Sequence, residues 1–257
     1  MNATASIWAR AGSKGRPGKN TLAGAGRPCI AWTIDEALRA RTVSRIVVSS
    51  DDPIALGVAE RLGAVAHRRD PALASDDAPV DAAARDAAER FGGDPIVILY
   101  GNVPIRPLGL IDRAVRLLTE TGADSVQSYT PVGKHHPWWT ARLDADGAAV
   151  RPWEGETLNH GVHRRQDLPP ACIPDGGVLA VTRRALFGAS AEGLTGEGGG
   201  GGGPHAFLGD DRRGVLTGEG EVVDIDTETD RRVAEAILRD ASAGSRAARP
   251  GSAMEAA

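Results

Sequence analysis

Apolar strand-like segments and amphipathic helical segments alternate along the first half of the chain, and this alternation limits the possible folds more than any other feature of the sequence. The apolar composition of buried strands occurs at residues 6–9, 44–50, 64–68 and 95–100. Helical periodicity occurs at residues 27–40, 52–63, 79–91 and 108–122. Strands and helices that alternate over short links form βαβ units. The sequence therefore predicts an α/β protein with a doubly wound, mostly parallel sheet and helices on both faces.

A loop rich in glycine and cationic residues follows the first predicted strand. Its three glycines and four cations are Gly12, Gly15, Gly18, Arg10, Lys14, Arg16 and Lys19. Glycine lets the backbone approach a ligand closely, and clustered cations require an anionic partner. Open parallel sheets bind ligands at the carboxyl ends of their strands, where this loop and residues 100–107 are both predicted to lie. We therefore expect a site for a phosphate-rich ligand at this edge.

The charge balance favours a small ligand over a polymer. The chain of 257 residues has a net charge of −4 and an isoelectric point near 5.9. Nucleic-acid binding normally requires a basic face, so we expect no nucleic-acid partner. No segment reaches the roughly 18 consecutive apolar residues of a membrane span, and the N-terminus lacks a signal-peptide pattern. We expect no membrane partner and a cytoplasmic location.

The two cysteines, Cys29 and Cys172, match neither a disulfide framework nor a metal site in their spacing. Free cysteine is among the most buried residue types. Both are therefore expected to be small apolar core residues of a protein from a reducing compartment.

The cationic loop differs from two common phosphate-binding motifs. A P-loop has four residues between its glycines, followed by Gly-Lys-Ser/Thr. Here five residues separate Gly12 from Gly18, and Asn20 stands where the metal-binding hydroxyl would be. The Gly-x-Gly-x-x-Gly pattern is also absent, which argues against a dinucleotide oxidoreductase.

The pattern changes in the second half of the chain. Residues 131–175 lack helical periodicity, and a hairpin-like segment with a turn at Asp146-Gly147 predicts a small β-rich insertion here. The remaining predictions are a return to the sheet at 176–182, a mobile Gly-rich loop at 193–203, a strand leading into a helix at 221–241, and a disordered tail at 242–257.

The sequence ARAGSKGRPGKN, residues 9–20, closely resembles the signature loop of the acylneuraminate cytidylyltransferases, the CMP-sialic acid synthetase family. Other segments resemble the family in the same order: GRPCIAWTIDEAL, RIVVSSDD, RRDPALASD, RRQDLP, DGGVLAVTR and VDIDTETDRRVAEAIL. The resemblance implies a nucleotide-diphospho-sugar transferase-like fold over residues 1–241, with a dimerisation insertion at 131–175. It also implies transfer of CMP from CTP to an acidic sugar, with release of pyrophosphate.

The resemblance also implies which residues bind the nucleotide. The triphosphate would be held by Arg10, Ser13, Lys14, Lys19 and Asn20. The rest of the nucleotide-binding set would be Ala9, Gly12, Arg69 and Ser75. Arg10, Lys14 and Lys19 would act in catalysis, since fixed cations stabilise the charge that develops on departing pyrophosphate. For the segment around Arg69, a solvated charged turn is the alternative.

Asp224 and Asp226 stand two residues apart in VVDIDTETD. In an extended segment both carboxylates would point to the same side. Mg²⁺ prefers hard oxygen ligands and shares them with phosphates, so the pair predicts a magnesium site. The resemblance supports this site and gives Asp226 a catalytic role. Asp226 is alternatively a cap of the following helix, and the two roles are compatible.

The resemblance assigns contacts with the acceptor sugar to Tyr100, Asn102, Arg106, Arg164, Arg165 and Gln166. Arg165 is suited to bind a carboxylate through paired hydrogen bonds. Many family members have Gln-Pro-Thr-Ser-Pro-Leu-Arg where this chain has residues 100–106, so Tyr100 replaces the glutamine that contacts the sugar. A tyrosine here resembles the pseudaminic-acid branch of the family.

The insertion contains two neighbouring pairs of ring side chains, His135, His136, Trp138 and Trp139. Adjacent histidines without a carboxylate at ligand spacing argue against a metal site. Tryptophan is enriched at interfaces, and the family insertion mediates homodimerisation, so the resemblance implies a homodimer.

Two alternatives keep the fold but change the function. The same chemistry could act on a 3-deoxy-octulosonate or a phosphonate acceptor. A catalytically silent relative could bind nucleotide for regulation or scaffolding, although the cationic loop and both aspartates argue against it. The preferred acceptor is a nonulosonic acid, such as a sialic, legionaminic or pseudaminic acid.

Overall fold

The computed structural model describes residues 2–12, 18–75, 80–144, 147, 149–191 and 205–247. Its strands are β1 Ala3–Ala9, β2 Ala23–Gly24, β3 Arg27–Pro28, β4 Val43–Ser50, β5 Val65–Arg68, β6 Ile96–Tyr100, β7 Ser125–Pro131, β8 Ala141–Leu143, β9 Val150–Pro152, β10 Cys172–Val181 and β11 Arg212–Leu216. Its α-helices are α1 Cys29–Arg39, α2 Pro53–Arg61, α3 Pro71–Ala74, α4 Val80–Phe91, α5 Leu110–Thr121, α6 Arg183–Ala191 and α7 Glu228–Ala247.

Seven strands form the central sheet in the order β11-β7-β10-β6-β1-β4-β5. Neighbouring strands are parallel except at β10, which runs antiparallel to both β6 and β7. The predicted doubly wound, mostly parallel α/β sheet is thus confirmed. The four strands predicted in the first half correspond to β1, β4, β5 and β6, and β1 begins three residues earlier than expected.

The central strands send alternate side chains into two apolar cores, one on each face of the sheet. Ile7 and Leu99 belong to one core, which α1, α2 and α5 cover. Trp8 and Ile98 belong to the other core, which α4 and α6 cover. Because both faces are buried, β6 needs apolar side chains at every position in its interior, which explains its uninterrupted apolar sequence.

Helix ends follow the signals in the sequence. Asp52 caps α2 by accepting a hydrogen bond from the Ile54 backbone N–H at 2.8 Å, and Pro53 occupies the first turn. Helix α5 ends at Gly122, whose φ of 68° lies in the left-handed region that favours glycine. These caps fix where α2 and α5 start or stop, and so position the loops at both edges of the sheet.

Several predictions for the second half need correction. The strand expected at the start of residues 221–241 is wrong, because Val223 makes only an isolated bridge with Ile105. Helix α7 continues past residue 242, the predicted start of the disordered tail, to Ala247. Residues 248–257 and the Gly-rich segment 193–203 lie outside the described residues. Helix α6 and strand β11 lie in segments for which the sequence supported no prediction.

The insertion contains the expected hairpin, in which β8 and β9 pair antiparallel. Trp138 stacks on His160 with ring centroids 4.7 Å apart, and Trp139 Nε1 donates a hydrogen bond to the Val162 carbonyl at 3.1 Å. Both tryptophans therefore pack within the insertion, and their predicted role at an interface stays a prediction.

The cysteines differ in their surroundings. Cys29 is 2% exposed at the start of α1, as expected, and burial raises the pKa of its thiol to about 12. Cys172 is exposed at the start of β10, so the prediction that it lies in the core is wrong. Among the helices that the structure describes, none is both long and apolar enough to span a membrane.

Candidate functional site

Three chain segments meet at the carboxyl edge of the sheet. They are the loop after β1, the turn after β6 and the segment 224–226 before α7. Lys19 Nζ forms an ion pair with Asp226 Oδ1 at 2.6 Å across 207 residues of sequence. Asn102 Nδ2 donates to Asp224 Oδ1. The prediction that the loop after β1 and residues 100–107 lie at the same edge is confirmed, since both contact the segment 224–226.

Asn102 clamps the acidic segment onto the turn after β6. Its backbone carbonyl accepts from Ile225 N at 2.9 Å, and its side chain also donates to the Ile225 carbonyl at 3.3 Å. Ile225 is buried against Cys29 and Ala234. This anchoring presents the carboxylates of Asp224 and Asp226 at the cleft without the support of a regular strand.

The two aspartates have different environments. Asp224 is partly buried, and burial, with the nearby charge of Asp226, raises the pKa of its carboxyl to about 6, although Lys19 and Arg106 oppose the rise. The Asp226 side chain is 66% exposed. A close acidic pair of this kind is favourable only when a cation neutralises it, and Lys19 does so in part.

Asp226 does not cap α7. The cap is formed by Thr227, whose hydroxyl accepts from Asp230 N at 3.2 Å, and by Asp230, whose carboxylate accepts from the backbone N–H of Thr227 at 2.7 Å. The alternative in which Asp226 caps the helix is therefore wrong, and the Asp226 carboxylate remains directed to the contact with Lys19.

The loop after β1 is described up to Gly12 and again from Gly18. Ala11 N donates to Asp51 Oδ1 at 2.8 Å, and Asn20 Nδ2 donates to the Arg10 carbonyl at 3.0 Å. These bonds hold the base of the loop against the end of β4. Ser13 and Lys14, which are predicted to bind the triphosphate, lie outside the described residues.

Asn20 approaches the turn after β6 very closely. It is 3% exposed, and its Oδ1 atom has no hydrogen-bond partner within the described part of the chain. A side chain at Gly101 would place its Cβ 3.0 Å from this oxygen and 3.1 Å from the Trp8 carbonyl. Gly101 is thus required for the approach of the two loops. Its position directly after an apolar strand is the sequence signal that could have identified it.

Arg69 lies behind the cleft and not on its surface. It is 6% exposed, and it donates from Nε to Ser49 Oγ at 3.0 Å and from a terminal nitrogen to the Ser49 carbonyl at 2.8 Å. Burial lowers the pKa of Arg69, with Asp51 opposing and Arg10 adding to that effect. The buried cation lies 5.9 Å from the centre of the Trp8 ring.

Ser75 lies at the end of α3 and is exposed, with its hydroxyl bonded to the Ala72 carbonyl at 3.3 Å. No contact in the described chain joins it to the cationic loop, so its nucleotide-binding role stays a prediction. Ala9 is the last residue of β1 and is 1% exposed, so its nucleotide-binding role also stays a prediction.

Tyr100 and Trp8 form an aromatic wall at the ends of β6 and β1. Their rings meet edge to face with centroids 6.0 Å apart. Burial, followed by the charge of Asp224, raises the pKa of the Tyr100 hydroxyl. A Cβ on Gly176 would lie 3.8 Å from both Tyr100 Cδ2 and Asp224 Oδ2, so the Tyr100 ring is near Asp224. Its predicted contact with the acceptor stays a prediction. Trp8 was not predicted to be part of the site.

Arg106 has a different position from the one predicted. Its guanidinium is buried and donates to three backbone carbonyls and one hydroxyl, those of Tyr100, Val103, Gly177 and Thr33. Burial lowers its pKa to about 10, so it stays cationic at neutral pH. Arg106 therefore holds the turn after β6 against β10 and α1, and these bonds occupy the groups with which it would contact an acceptor.

The segment Arg164, Arg165 and Gln166 lies in the insertion. Arg165 pairs with Glu219 at 3.1 Å, and both side chains are mostly exposed. Within the described chain, no contact joins these three residues to Tyr100, Asn102 or the acidic pair. No direct contact within the described chain therefore links the two predicted parts of the acceptor site, and the role of the segment stays a prediction.

Comparison with known proteins identifies relatives of the chain. Residues 5–143 match the sequence pattern of the cytidylyltransferase family. The CMP-N,N'-diacetyllegionaminic acid synthase of Legionella pneumophila is 37% identical over 158 residues, which are 59% of this chain and 67% of that protein. The N-acylneuraminate cytidylyltransferase of Streptococcus agalactiae serotype V is 30% identical over 184 residues, which are 70% of this chain but only 43% of that protein.

A solved structure of a CMP:2-keto-3-deoxy-manno-octonic acid synthetase complexed with CTP has the same fold. It matches with a TM-score of 0.68 over 94% of this chain and all of that chain. The sequence identity is 16%, so this likeness concerns the fold alone.

Proposed function

Because this chain belongs to the cytidylyltransferase family, we propose that it transfers CMP from CTP to a nonulosonic acid, such as a sialic, legionaminic or pseudaminic acid, and releases pyrophosphate. The observation that carries the proposal is the meeting of Lys19, the Asp224–Asp226 pair and Asn102 at the carboxyl edge of the sheet. Two relatives whose names state CMP transfer to acids of this class support the choice of acceptor.

The cationic side of the cleft would bind the triphosphate. Lys19 is held beside the acidic pair, and the base of the loop is fixed by the bonds of Ala11 and Asn20. Cations held before the reaction stabilise charge on the leaving pyrophosphate without having to reorganise. The chain therefore contributes to this reaction mainly by positioning CTP and by compensating its charge.

Asp224 and Asp226 fit a magnesium ion by the chemistry of their donors. Mg²⁺ is commonly held by one or two carboxylates together with substrate phosphates, so a larger protein cage is not needed. The described residues contain no group of three or more acidic, histidine or cysteine side chains that could hold a metal. Bound Mg²⁺ would offset phosphate charge. No histidine of the sequence is an obvious general base, so the proton of the acceptor hydroxyl that attacks CTP would pass to a carboxylate of this pair or to water.

Tyr100 would contribute to the choice of acceptor. It lies at the end of β6 near Asp224, so an acceptor bound against its ring would lie close to the proposed metal site. The replacement Tyr100→Gln changes a bulky ring into the amide that many family members carry. We expect it to change the acceptor KM and leave the CTP KM unaltered. An unchanged acceptor KM would remove Tyr100 from the acceptor site.

A second copy of the chain would complete the acceptor site. Apolar side chains of the insertion and of the neighbouring β10 and β11 are exposed: Leu143, Val150, Trp153, Leu158, Ile173 and Leu216. A homodimer would bury this surface and could bring the segment 164–166 of one copy to the cleft of the other. The mass of the protein in solution tests this part. The cytoplasmic location stays a prediction.

Pyrophosphate release tests the reaction. The assay contains CTP, Mg²⁺ and one member at a time of a panel of nonulosonic acids, 3-deoxy-octulosonate and phosphonates. Release with a nonulosonic acid supports the proposal, and release only with an octulosonate or a phosphonate replaces the acceptor. CTP binding without release from any member favours a silent nucleotide-binding relative.

Two variants connect this assay to the site. Asp226→Asn should lower turnover by about 100-fold or more, because it removes a carboxylate from the proposed metal site. Asp240→Asn removes an exposed carboxylate from α7 and serves as the matched control. Full activity of Asp226→Asn would show that the metal is held elsewhere.

A further inference from the structure

A cavity of about 350 Å³ lies between the C-terminal end of α1 and the first two turns of α5. We call this cavity the α1–α5 groove. Its charged lining residues include Glu36, Arg39, Arg41, Asp112, Arg113 and Arg116. Lys19, Asp224 and Asp226 do not line it. The groove is therefore separate from the cleft at the carboxyl edge.

The charge of the α1–α5 groove is strongly positive in an acidic protein. Five arginines line it against two carboxylates, an excess of three positive charges, whereas the chain as a whole has a net charge of −4. Arg39 is neutralised by an ion pair with Glu36. Within the described part of the chain, the side chains of Arg41, Arg113 and Arg116 form no ion pair.

Asp112 lines the groove and bonds to the backbone at Arg41 and to Thr42. Its carboxylate accepts hydrogen bonds from Thr42 N at 2.9 Å, Thr42 Oγ1 at 2.7 Å and Arg41 N at 3.2 Å. Burial would raise the pKa of Asp112, but these bonds and the charge of Arg116 outweigh burial and hold the pKa below its usual value. The bonds tie residues 41–42 to α5, where Arg113 and Arg116 lie three positions apart on one face.

An adjoining cavity of about 490 Å³ supplies an apolar surface. It shares Glu36, Arg39 and Arg106 with the groove and continues along Trp32, Pro104, Ile105, Ile237 and Leu238. The two cavities together have the size of a ligand site for a small organic molecule. One end is cationic, and the other is aromatic and aliphatic.

We propose that the α1–α5 groove and its apolar extension bind a phosphorylated small organic molecule at a site distinct from the CTP cleft. Arg41, Arg113 and Arg116 hold its phosphate, since guanidinium groups match phosphate geometry and none of these three is in an ion pair within the described chain. The planar or apolar body of the ligand lies along Trp32 and Leu238. The proposal does not depend on the identity of the acceptor sugar.

Calorimetric titration tests the site with two probes, AMP and inorganic phosphate, in metal-free buffer at low salt. We expect AMP to bind more tightly than phosphate, because only AMP can also use the apolar extension. The triple variant Arg41→Gln, Arg113→Gln and Arg116→Gln should weaken AMP binding at least about tenfold. Failure of the wild-type protein to bind AMP below about 10 mM overturns the proposal, as does equal affinity for AMP and phosphate.

Three further variants distinguish binding in the groove from binding in the CTP cleft and from nonspecific charge attraction. Leu108→Asp places a negative charge at the mouth of the cavity, where Leu108 is 80% exposed, and should weaken AMP binding while every arginine is kept. Lys19→Gln alters only the cleft and should leave AMP binding unchanged. The control triple variant Arg61→Gln, Arg151→Gln and Arg232→Gln removes the same charge from exposed positions elsewhere. An equal loss in this control or in Lys19→Gln overturns the proposal.

Discussion

Replacing Asp224 with asparagine is expected to stabilise the ligand-free protein while it damages the proposed metal site. Burial and the neighbouring Asp226 raise the pKa of this carboxyl from 3.8 to about 6. One pKa unit corresponds to about 1.4 kcal/mol, so the shift sets an upper limit of ~3 kcal/mol on the cost of the charge at neutral pH. Because Asp224 is only partly buried, solvent screening reduces the expected gain to ~1–2 kcal/mol. Asparagine can still accept the hydrogen bond that Asn102 donates.

The stability gained by Asp224→Asn is expected to increase with pH. A carboxyl whose pKa is raised in the folded state binds its proton more tightly there than in the unfolded chain. The stability that this proton contributes is fully present below the unfolded value of 3.8 and is lost as pH rises through about 6. The advantage of Asp224→Asn should therefore be largest above neutral pH and should disappear toward about pH 4.

Urea denaturation with a metal chelator measures the effect. The free energy of unfolding is compared for the wild-type protein and Asp224→Asn at about pH 7.5 and about pH 4. Asp226→Asn is the matched control: its side chain is 66% exposed and paired with Lys19, so no gain is expected. If Asp224→Asn is no more stable than the wild type at the higher pH, or if its advantage is the same at both pH values, then burial does not penalise the charged Asp224 carboxylate.

Three further predictions concern packing and accessibility. Arg106→Leu should lower the free energy of unfolding by ~3 kcal/mol or more, because it leaves buried carbonyls without a donor; a loss below about 1 kcal/mol in urea denaturation would contradict the role of Arg106 in holding the turn. Gly209→Ala should lower the free energy of unfolding by ~2 kcal/mol or more, since its Cβ would lie 2.3 Å from Asp124 Cβ. Gly63→Ala, also at positive φ but facing open space, should lower it by only ~1 kcal/mol. Equal decreases in melting temperature for the two variants would contradict this. Cys172 is exposed and should be alkylated in the native protein, and the other thiol only after unfolding; mass spectrometry that finds two modified thiols in the native state would refute this.

Local signals in the sequence were sufficient for the parallel half of the fold. Asp52 and Gly122 mark helix ends through bonds to residues at most four positions away, and Pro53 does so through its fixed φ, so these signals depend little on the rest of the fold. The uninterrupted apolar sequence of β6 likewise predicted a strand that is buried on both faces. The prediction of a strand before Asp224 was wrong, because Val223 forms only an isolated bridge with Ile105. Whether an extended segment becomes a strand depends on which other segment the fold places beside it.

The candidate site was also predictable only in part from the sequence. The sequence by itself determined the types of side chain that the site needs, cations in a glycine-rich loop and two carboxylates two residues apart. Only the tertiary structure decided which of them meet. Lys19 contacts Asp226 across 207 residues of sequence, while Arg106, which was predicted to contact the acceptor, donates its hydrogen bonds to backbone carbonyls. The physical reason is that side-chain chemistry and helix caps depend on residues close together in the sequence. Burial, ion pairing and a shifted pKa depend instead on which distant groups the sheet brings within a few ångströms.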